Sequence, residues 1–266
     1  GHLPGINRKA GESVMLREWK TEWMKVRRRK IGLLVGAFVV LIFAWITWAI
    51  GDSSEEQIYD GWRVCFLQFA LINTILLPTM IAMLASRLCD AEVKGNTLKL
   101  LCTMEKKGRL FDLKLLTGAV YLLLFIIAEY SMMFFLSAAL GFGRPAETRH
   151  LVYFFLENYT SSILLLLLQQ VLSFFYENQI IPLAAGLFGS FAGLFSWFLP
   201  GAPVWYLIPW GYYSELAYIS YTWDEATRIT TYYNAPFNFP GLLILLAIIA
   251  AGYAAGRYLF VTRKEI

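Results

Sequence analysis

The side chain best placed for chemistry inside an apolar run is Glu129, which interrupts an otherwise uncharged stretch from Leu115 to Gly143. A carboxylate in a membrane is costly unless it is protonated, paired or facing water, so Glu129 is a candidate functional residue. The alternative is a neutral carboxyl group that only hydrogen-bonds neighbouring helices together. The sequence places no second ionisable residue equally deep in the apolar runs, so we do not expect a proton relay of several groups.

The sequence does not contain the residue patterns that other kinds of catalytic site require. The histidines are His2 and His150, and the three cysteines have neither a metal-ligand spacing nor an expected disulfide partner. No Gly-Lys dipeptide occurs, so the chain has no Walker A phosphate-binding loop. We therefore expect a chain that is not an enzyme, that carries no catalytic residue, metal site or cofactor, and that does not bind nucleic acid.

Composition determines the class of protein that must position these residues. Hydrophobic residues make up 58% of the chain and charged residues 16%, against about 25% charged residues in soluble domains. Runs of about 20 apolar residues are long enough to cross a membrane as helices. We predict an all-α membrane protein in which residues 1–14 are a tag or disordered, residues 15–30 form an interfacial amphipathic helix, and residues 31–266 form a six-span domain. The predicted spans are 31–50, 64–86, 115–141, 152–176, 179–200 and 240–261.

The distribution of positive charge predicts the orientation. With the N-terminus inside, nineteen Lys and Arg residues lie on the cytoplasmic side and four lie outside. Cytoplasmic loops of membrane proteins carry an excess of Lys and Arg, and the opposite orientation would invert this split. We therefore expect a multi-pass plasma-membrane protein with both termini in the cytoplasm.

The segment from Arg87 to Lys114 is a long, strongly basic stretch between two predicted spans. Within it, an amphipathic pattern predicts a helix of about three turns. Its apolar positions are Val93, Thr97, Leu100 and Leu101, and its polar positions include Glu92 and Lys94. We interpret this helix as a cytosolic contact for another protein. The alternative is an ordinary loop whose helix lies flat on the lipid surface.

Two further patterns concern helix packing. Polar Gln68 and Asn73 and the nearby Pro78 fall in the second span, where helix contacts are the default interpretation and the lining of a transport path is the alternative. Glycines also recur four residues apart, which predicts close contacts inside the bundle or across a dimer. These pairs are Gly189 with Gly193 and Gly252 with Gly256.

The segment from Pro200 to Phe239 holds twelve aromatic residues and four prolines. Its apolar pieces are too short to span, so we predict re-entrant or interfacial helices at the outer leaflet. This segment is a candidate outer gate or peptide-facing surface, and the alternative is an aromatic belt that only anchors the bundle. The candidate residues are Trp205, Trp210, Tyr212, Tyr213 and Glu215.

These features together resemble the permeases of type-2 ABC exporters. The resemblance rests on the loop segment EVKGNTLKLL, the interfacial N-terminal helix, the six spans and the broken apolar segment before the last span. It implies that the loop helix is a coupling helix that docks in a cleft of the ATPase subunit. The implied contact residues are Glu92, Lys94, Gly95, Thr97, Leu100 and Leu101. The chain departs from many relatives at Glu105 and Lys106, where those carry a Pro-Ser-Arg-like break.

Within that family, the runs LAAGLFGSFAGLFSW and LIPWGYYSEL are most similar to lantibiotic immunity permeases. The resemblance implies a bacterial exporter that removes a peptide antibiotic. Its partners would be two ATPase subunits carrying ATP and Mg²⁺, a second permease that is the same chain or a related one, and membrane lipid. A permease for a lipid or hydrophobic drug, a secondary transporter and a membrane sensor subunit are the alternatives. The residues leave open the substrate, the direction of transport and the identity of the second permease.

Overall fold

The computed structural model describes residues 29–51, 53–94, 107–199, 201–225 and 229–263. Within these residues, five helices are long and apolar enough to cross a membrane. They are α1 (Ile31–Gly51), α3 (Gly61–Lys94), α4 (Lys107–Leu140), α5 (Thr148–Phe175) and α8 (Phe239–Arg263). The predicted interfacial helix lies outside the described residues, apart from Arg29 and Lys30.

The predicted span at 179–200 corresponds to α6 (Ile180–Ser196), which has 17 residues. A helix of that length covers about 25 Å, which is less than the roughly 30 Å of a hydrocarbon core. Pro182 lies in its first turn, where a proline is tolerated. The helix ends four residues before Pro200. A sixth complete span therefore stays a prediction.

The long helix α3 lies at the centre of the bundle and packs against α1, α4, α5 and α6. It remains helical through Pro78. At that point Gly186 of α6 comes so close that an added Cβ atom would lie 3.0 Å from the Pro78 carbonyl oxygen and 2.6 Å from the Ala82 Cβ. The glycine therefore lets α6 lie directly against the proline-containing turn of α3.

The segment after α6 corrects our prediction. Two 3-10 turns, Pro203–Leu207 and Pro209–Gly211, lead into the single-turn α7 (Tyr212–Glu215). An antiparallel hairpin then follows, formed by β1 (Ile219–Asp224) and β2 (Ile229–Asn234). The all-α prediction, with helices throughout this segment, is therefore wrong here. The strands read ISYTWD and ITTYYN, and β-branched and aromatic residues favour a strand.

We call described residues 201–239 the aromatic cap and the end of the bundle that carries them the hairpin end. The short helix α2 (Glu55–Tyr59) precedes α3 at the same end and begins with a capping box made by Ser54 and Gln57. We call the opposite end, where α3 ends and α4 begins, the loop end. The helix α3 runs from the hairpin end to the loop end.

Candidate functional site

Buried polar side chains from three helices meet inside the bundle. The amide nitrogen of Asn73 on α3 donates to the Asn158 Oδ1 on α5, at 2.8 Å. The Asn158 amide nitrogen in turn donates to the carbonyl of Phe154, at 3.1 Å. We call the whole set the polar cluster, and every member is at most 1% exposed. Its members are Asn73, Glu129, Glu157, Asn158, Ser161 and Ser162.

The polar cluster contains two carboxyl groups rather than one. Glu157 lies close enough to Glu129 for their charges to interact. This corrects the expectation that Glu129 has no deep ionisable neighbour. Helix α5 begins at Thr148, which places Glu157 well inside it rather than at its edge. The spacing of Glu157, Asn158 and Ser161 on one helix face was the signal that could have identified this residue.

Three of the four carboxyl oxygens in this cluster have no hydrogen-bond partner of ordinary geometry among the described residues. Glu129 lies beside Asn73, yet neither of its carboxyl oxygens makes a hydrogen bond of ordinary geometry to a described residue, and the same holds for the Glu157 Oε1. Leaving such groups unsatisfied or charged in a buried site is costly. The cluster therefore favours any rearrangement that brings water or a cationic group to these oxygens.

The aromatic cap is joined to the polar cluster by one direct hydrogen bond. The hydroxyl groups of Tyr213 on α7 and Ser162 on α5 lie 2.9 Å apart and are both buried. The neighbouring Tyr212 hydroxyl donates to the carbonyl of Tyr206, at 2.9 Å. Tyr212 and Tyr213 are fully buried. They are internal supports of the cap in this conformation, and their predicted role as a gate stays a prediction.

Trp210 packs the aromatic cap against α6. A Cβ atom added to Gly189 would lie 1.9 Å from the Trp210 ring, and one added to Gly193 would lie 3.0 Å from the Trp210 carbonyl oxygen. The glycine pair therefore forms a recess for the indole. The second predicted pair packs inside the bundle, because a Cβ added to Gly256 would lie 2.7 Å from Val171. These described contacts favour the bundle interpretation at both positions.

At the loop end, positive side chains hold the last turns of α3. The buried Lys114 Nζ donates to the carbonyl of Leu88, at 2.6 Å. Arg29 donates to the carbonyls of Arg87 and Leu88, at 2.7 and 3.1 Å. Cations are favourable near the C-terminus of a helix. The α3 helix is therefore clamped six residues before its end at Lys94.

The comparison with protein families decides what this bundle is. Residues 19–193, more than half of the chain, match the family described as "ABC-2 family transporter protein". The chain belongs to this family. It is therefore a transmembrane permease of an ABC-2 type transporter, a non-catalytic subunit, and ABC-2 permeases generally pair with ABC ATPase subunits. A comparison with curated proteins found no match.

Two of the predicted coupling residues belong to the described part of the permease, at the loop end. Glu92 and Lys94 belong to the last turn of α3. The other predicted contacts, Gly95, Thr97, Leu100 and Leu101, lie outside the described residues. The coupling assignment therefore stays a prediction, and the described part of the permease shows the continuous helix on which such a contact would act.

Glu215 completes the cap of the permease. Its carboxyl oxygen accepts a hydrogen bond from the backbone N–H of Gly201, at 3.1 Å, and its own carbonyl accepts one from the Asn238 amide, at 3.2 Å. Burial raises the pKa of this carboxyl group, against the opposing effect of its hydrogen bonds. The side chain is 7% exposed, as is that of Trp205. Both predicted cap residues therefore lie inside the cap.

The exposed aromatic surface of the permease lies on the hairpin instead. Tyr221, Trp223 and Tyr233 are about half exposed, at 51%, 54% and 44%. We did not select these residues as candidates because a strand, whose side chains alternate, was not predicted there. Tyr221 and Trp223 lie on one face of the hairpin, whereas Tyr233 pairs with Ser220 and lies on the other face.

Proposed function

We propose that this permease is the membrane half of an ATP-driven exporter that removes a cationic amphipathic peptide, such as a lantibiotic, from the membrane. The observation that carries the proposal is the face of the hairpin on which Tyr221 and Trp223 are both about half exposed. Aromatic side chains supply large apolar contact areas and also attract cations through their ring faces. A peptide that is both cationic and apolar fits this surface.

The charges at the proposed outer face support a cationic substrate. With the hairpin end outside, as the charge distribution favours, the outer segments carry eight acidic and four basic residues. Glu55 and Glu56 on α2 and Glu225 at the hairpin turn are exposed. An excess of negative charge raises the local concentration of a cationic ligand. The negative outer face and the aromatic hairpin therefore recognise the same class of molecule.

The proposed mechanism uses α3 to connect the two ends. Closure of two ATPase subunits around ATP displaces the coupling segment at residues 92–101. That segment begins on α3, whose 34 residues extend about 50 Å as one helix. A displaced α3 moves Asn73 relative to Asn158 and so rearranges the polar cluster. The bond between Ser162 and Tyr213 passes this change to the aromatic cap.

The test is resistance of a sensitive bacterium that expresses the permease with its cognate ATPase. We expect protection against a cationic lantibiotic and none against an uncharged hydrophobic drug. Protection against the drug alone would favour the alternative substrate class. Protection that persists with an ATPase unable to hydrolyse ATP would contradict ATP-driven export.

A glycine variant tests the coupling assignment in the same cells. Replacing Gly95 with Trp should abolish protection while leaving the amount of permease in the membrane unchanged, because Gly95 belongs to the polar segment predicted between two spans. Gly36→Trp is the matched control, since a Cβ atom at Gly36 meets nothing within 4 Å. Full protection with Gly95→Trp would show that the coupling helix is assigned wrongly.

A further inference from the structure

The polar cluster contains five buried oxygen atoms that have no hydrogen-bond partner among the described residues. They are both carboxyl oxygens of Glu129, the Oε1 of Glu157, the Oγ of Ser161 and the Oδ1 of Asn73. All four side chains are at most 1% exposed. A buried polar atom without a partner is costly. Five such atoms in one cluster therefore indicate a ligand that bonds to oxygens.

The four side chains come from three helices and lie near one another. Asn73 on α3 lies beside Glu129 on α4, and Glu129 lies close enough to Glu157 on α5 for their charges to interact. Ser161 follows Glu157 by four residues, so both side chains lie on the same buried face of α5. The hydroxyl group of Ser161 therefore adds an uncharged oxygen beside the two carboxyl groups.

The types of these atoms indicate the chemical class of the ligand. Carboxylate, amide and hydroxyl oxygens suit hard cations, whereas imidazole and thiolate groups suit Zn²⁺ and copper. The part of the chain that the structure describes has no group of three or more His, Cys, Asp or Glu side chains, as a Zn²⁺ site usually requires. The polar cluster has two acidic members and no basic one. A hard cation would supply both the missing positive charge and the missing partners.

We propose that the polar cluster binds one hard metal cation, Ca²⁺ or Na⁺, through oxygens of Glu129, Glu157, Ser161 and Asn73. The bound ion joins α3, α4 and α5 inside the bundle. Ca²⁺ neutralises two ionised carboxylates, whereas Na⁺ neutralises one and leaves the other protonated. The expectation of no metal site rested on the spacing of His and Cys residues, so it does not concern a site made of oxygens alone. The inference is independent of which substrate the permease exports.

The experiment measures the binding of Ca²⁺ and of Na⁺ to the purified permease in detergent. Protein treated with a chelator is dialysed to equilibrium against radioactive CaCl₂ or NaCl, and choline chloride keeps the ionic strength constant. We expect one saturable site for one of the two cations, and the cation that binds identifies the ligand. The infrared band of a protonated carboxyl group should weaken as the site fills, because the cation replaces a proton.

Two variants at the site should weaken this binding. Glu157→Gln keeps the size of the side chain but removes its charge, and it should lower the affinity at least about tenfold. Ser161→Ala removes only a hydroxyl group and should lower the affinity roughly three- to tenfold. Ser190→Ala is the matched serine control, because the buried Ser190 Oγ donates to the carbonyl of Gly186 in its own helix, at 3.2 Å. Glu147→Gln, at an exposed position, is the matched charge control.

Three outcomes would overturn the inference. Binding of neither cation, with the infrared band unchanged at saturating salt, would show that the carboxyl groups hold protons instead. Equal binding in Glu157→Gln and Ser161→Ala proteins that melting curves show to be folded would place the ion elsewhere. A loss of binding in Glu147→Gln alone would indicate an adventitious ion only, at the protein surface.

Discussion

Replacing Gly189 with Ala should loosen the aromatic cap. The new Cβ atom would lie 1.9 Å from the Trp210 ring, whereas carbon atoms ordinarily approach to about 3.5 Å. The ring must therefore move by roughly 1.6 Å, and overpacking of this kind costs about 1–3 kcal/mol. Alanine also stabilises a helix by about 0.5–1 kcal/mol relative to glycine, so the net loss is smaller than the packing cost.

Gly36→Ala isolates the packing cost. It makes the same chemical change inside α1, where a Cβ atom meets nothing within 4 Å. The gain in helix propensity is then common to both variants, and the difference between them is the overpacking cost of about 1–3 kcal/mol. We expect Gly189→Ala to melt below Gly36→Ala by about 2–4 °C for each kcal/mol.

Two measurements check this difference. Each variant is heated in detergent, and size-exclusion chromatography measures the folded fraction that remains at each temperature. The melting temperatures follow from these curves. Hydrogen exchange should increase in residues 201–215 of Gly189→Ala only, because Trp210 belongs to that segment. Equal melting temperatures and unchanged exchange in the two variants would refute the argument that Gly189 provides a recess for Trp210.

Three further predictions concern single contacts. Tyr213→Phe removes the hydroxyl that hydrogen-bonds with Ser162 and should lower the free energy of unfolding by about 1 kcal/mol. If the losses of Tyr213→Phe and Ser162→Ala add in the double variant, the two hydroxyl groups do not share a hydrogen bond. Lys114→Met removes the donor that binds the Leu88 carbonyl, so hydrogen exchange should increase at the loop end of α3. Exchange protection equal to that of the unmodified chain would contradict the role of Lys114 in holding this end of the helix. The raised pKa of Glu215 means that the neutral carboxyl stabilises the cap fully below about pH 4.5 and that this stabilisation is lost as pH rises through the raised pKa. Melting temperatures against pH should show this loss in the unmodified chain but not in Glu215→Gln, and identical profiles would contradict it.

The bounds of the predicted spans agree with those of the helices where an apolar run and a helix have the same length. The first predicted span, 31–50, agrees with α1, and the last, 240–261, agrees with α8 within a few residues. The predicted span 64–86 is shorter than the helix α3. The run of uncharged residues stops before Arg87, whereas the helix continues to Lys94. Helix ends depend on backbone bonding, which a count of apolar residues does not report.

The site was less predictable because its contacts are long-range. Asn73 and Glu129 were identified from their polarity within apolar runs, but their neighbour Glu157 lay near the start of a predicted span and was overlooked. The contact between Gly189 and Trp210 joins a helix to a segment whose conformation was predicted incorrectly. The aromatic segment was predicted to form re-entrant or interfacial helices, although its β-branched and aromatic residues also favour strands.

Pro78 has a mechanical consequence for α3. Proline has no backbone N–H, so the helix lacks one internal hydrogen bond at this turn. Prolines are a common cause of helix kinks, so α3 bends more easily at this turn than elsewhere. Pro78 lies between Glu92, where the proposed coupling segment begins, and Asn73 in the polar cluster. In the proposed mechanism, Pro78 is therefore a hinge between the coupling segment and the polar cluster, and bending there absorbs part of the movement before it reaches Asn73.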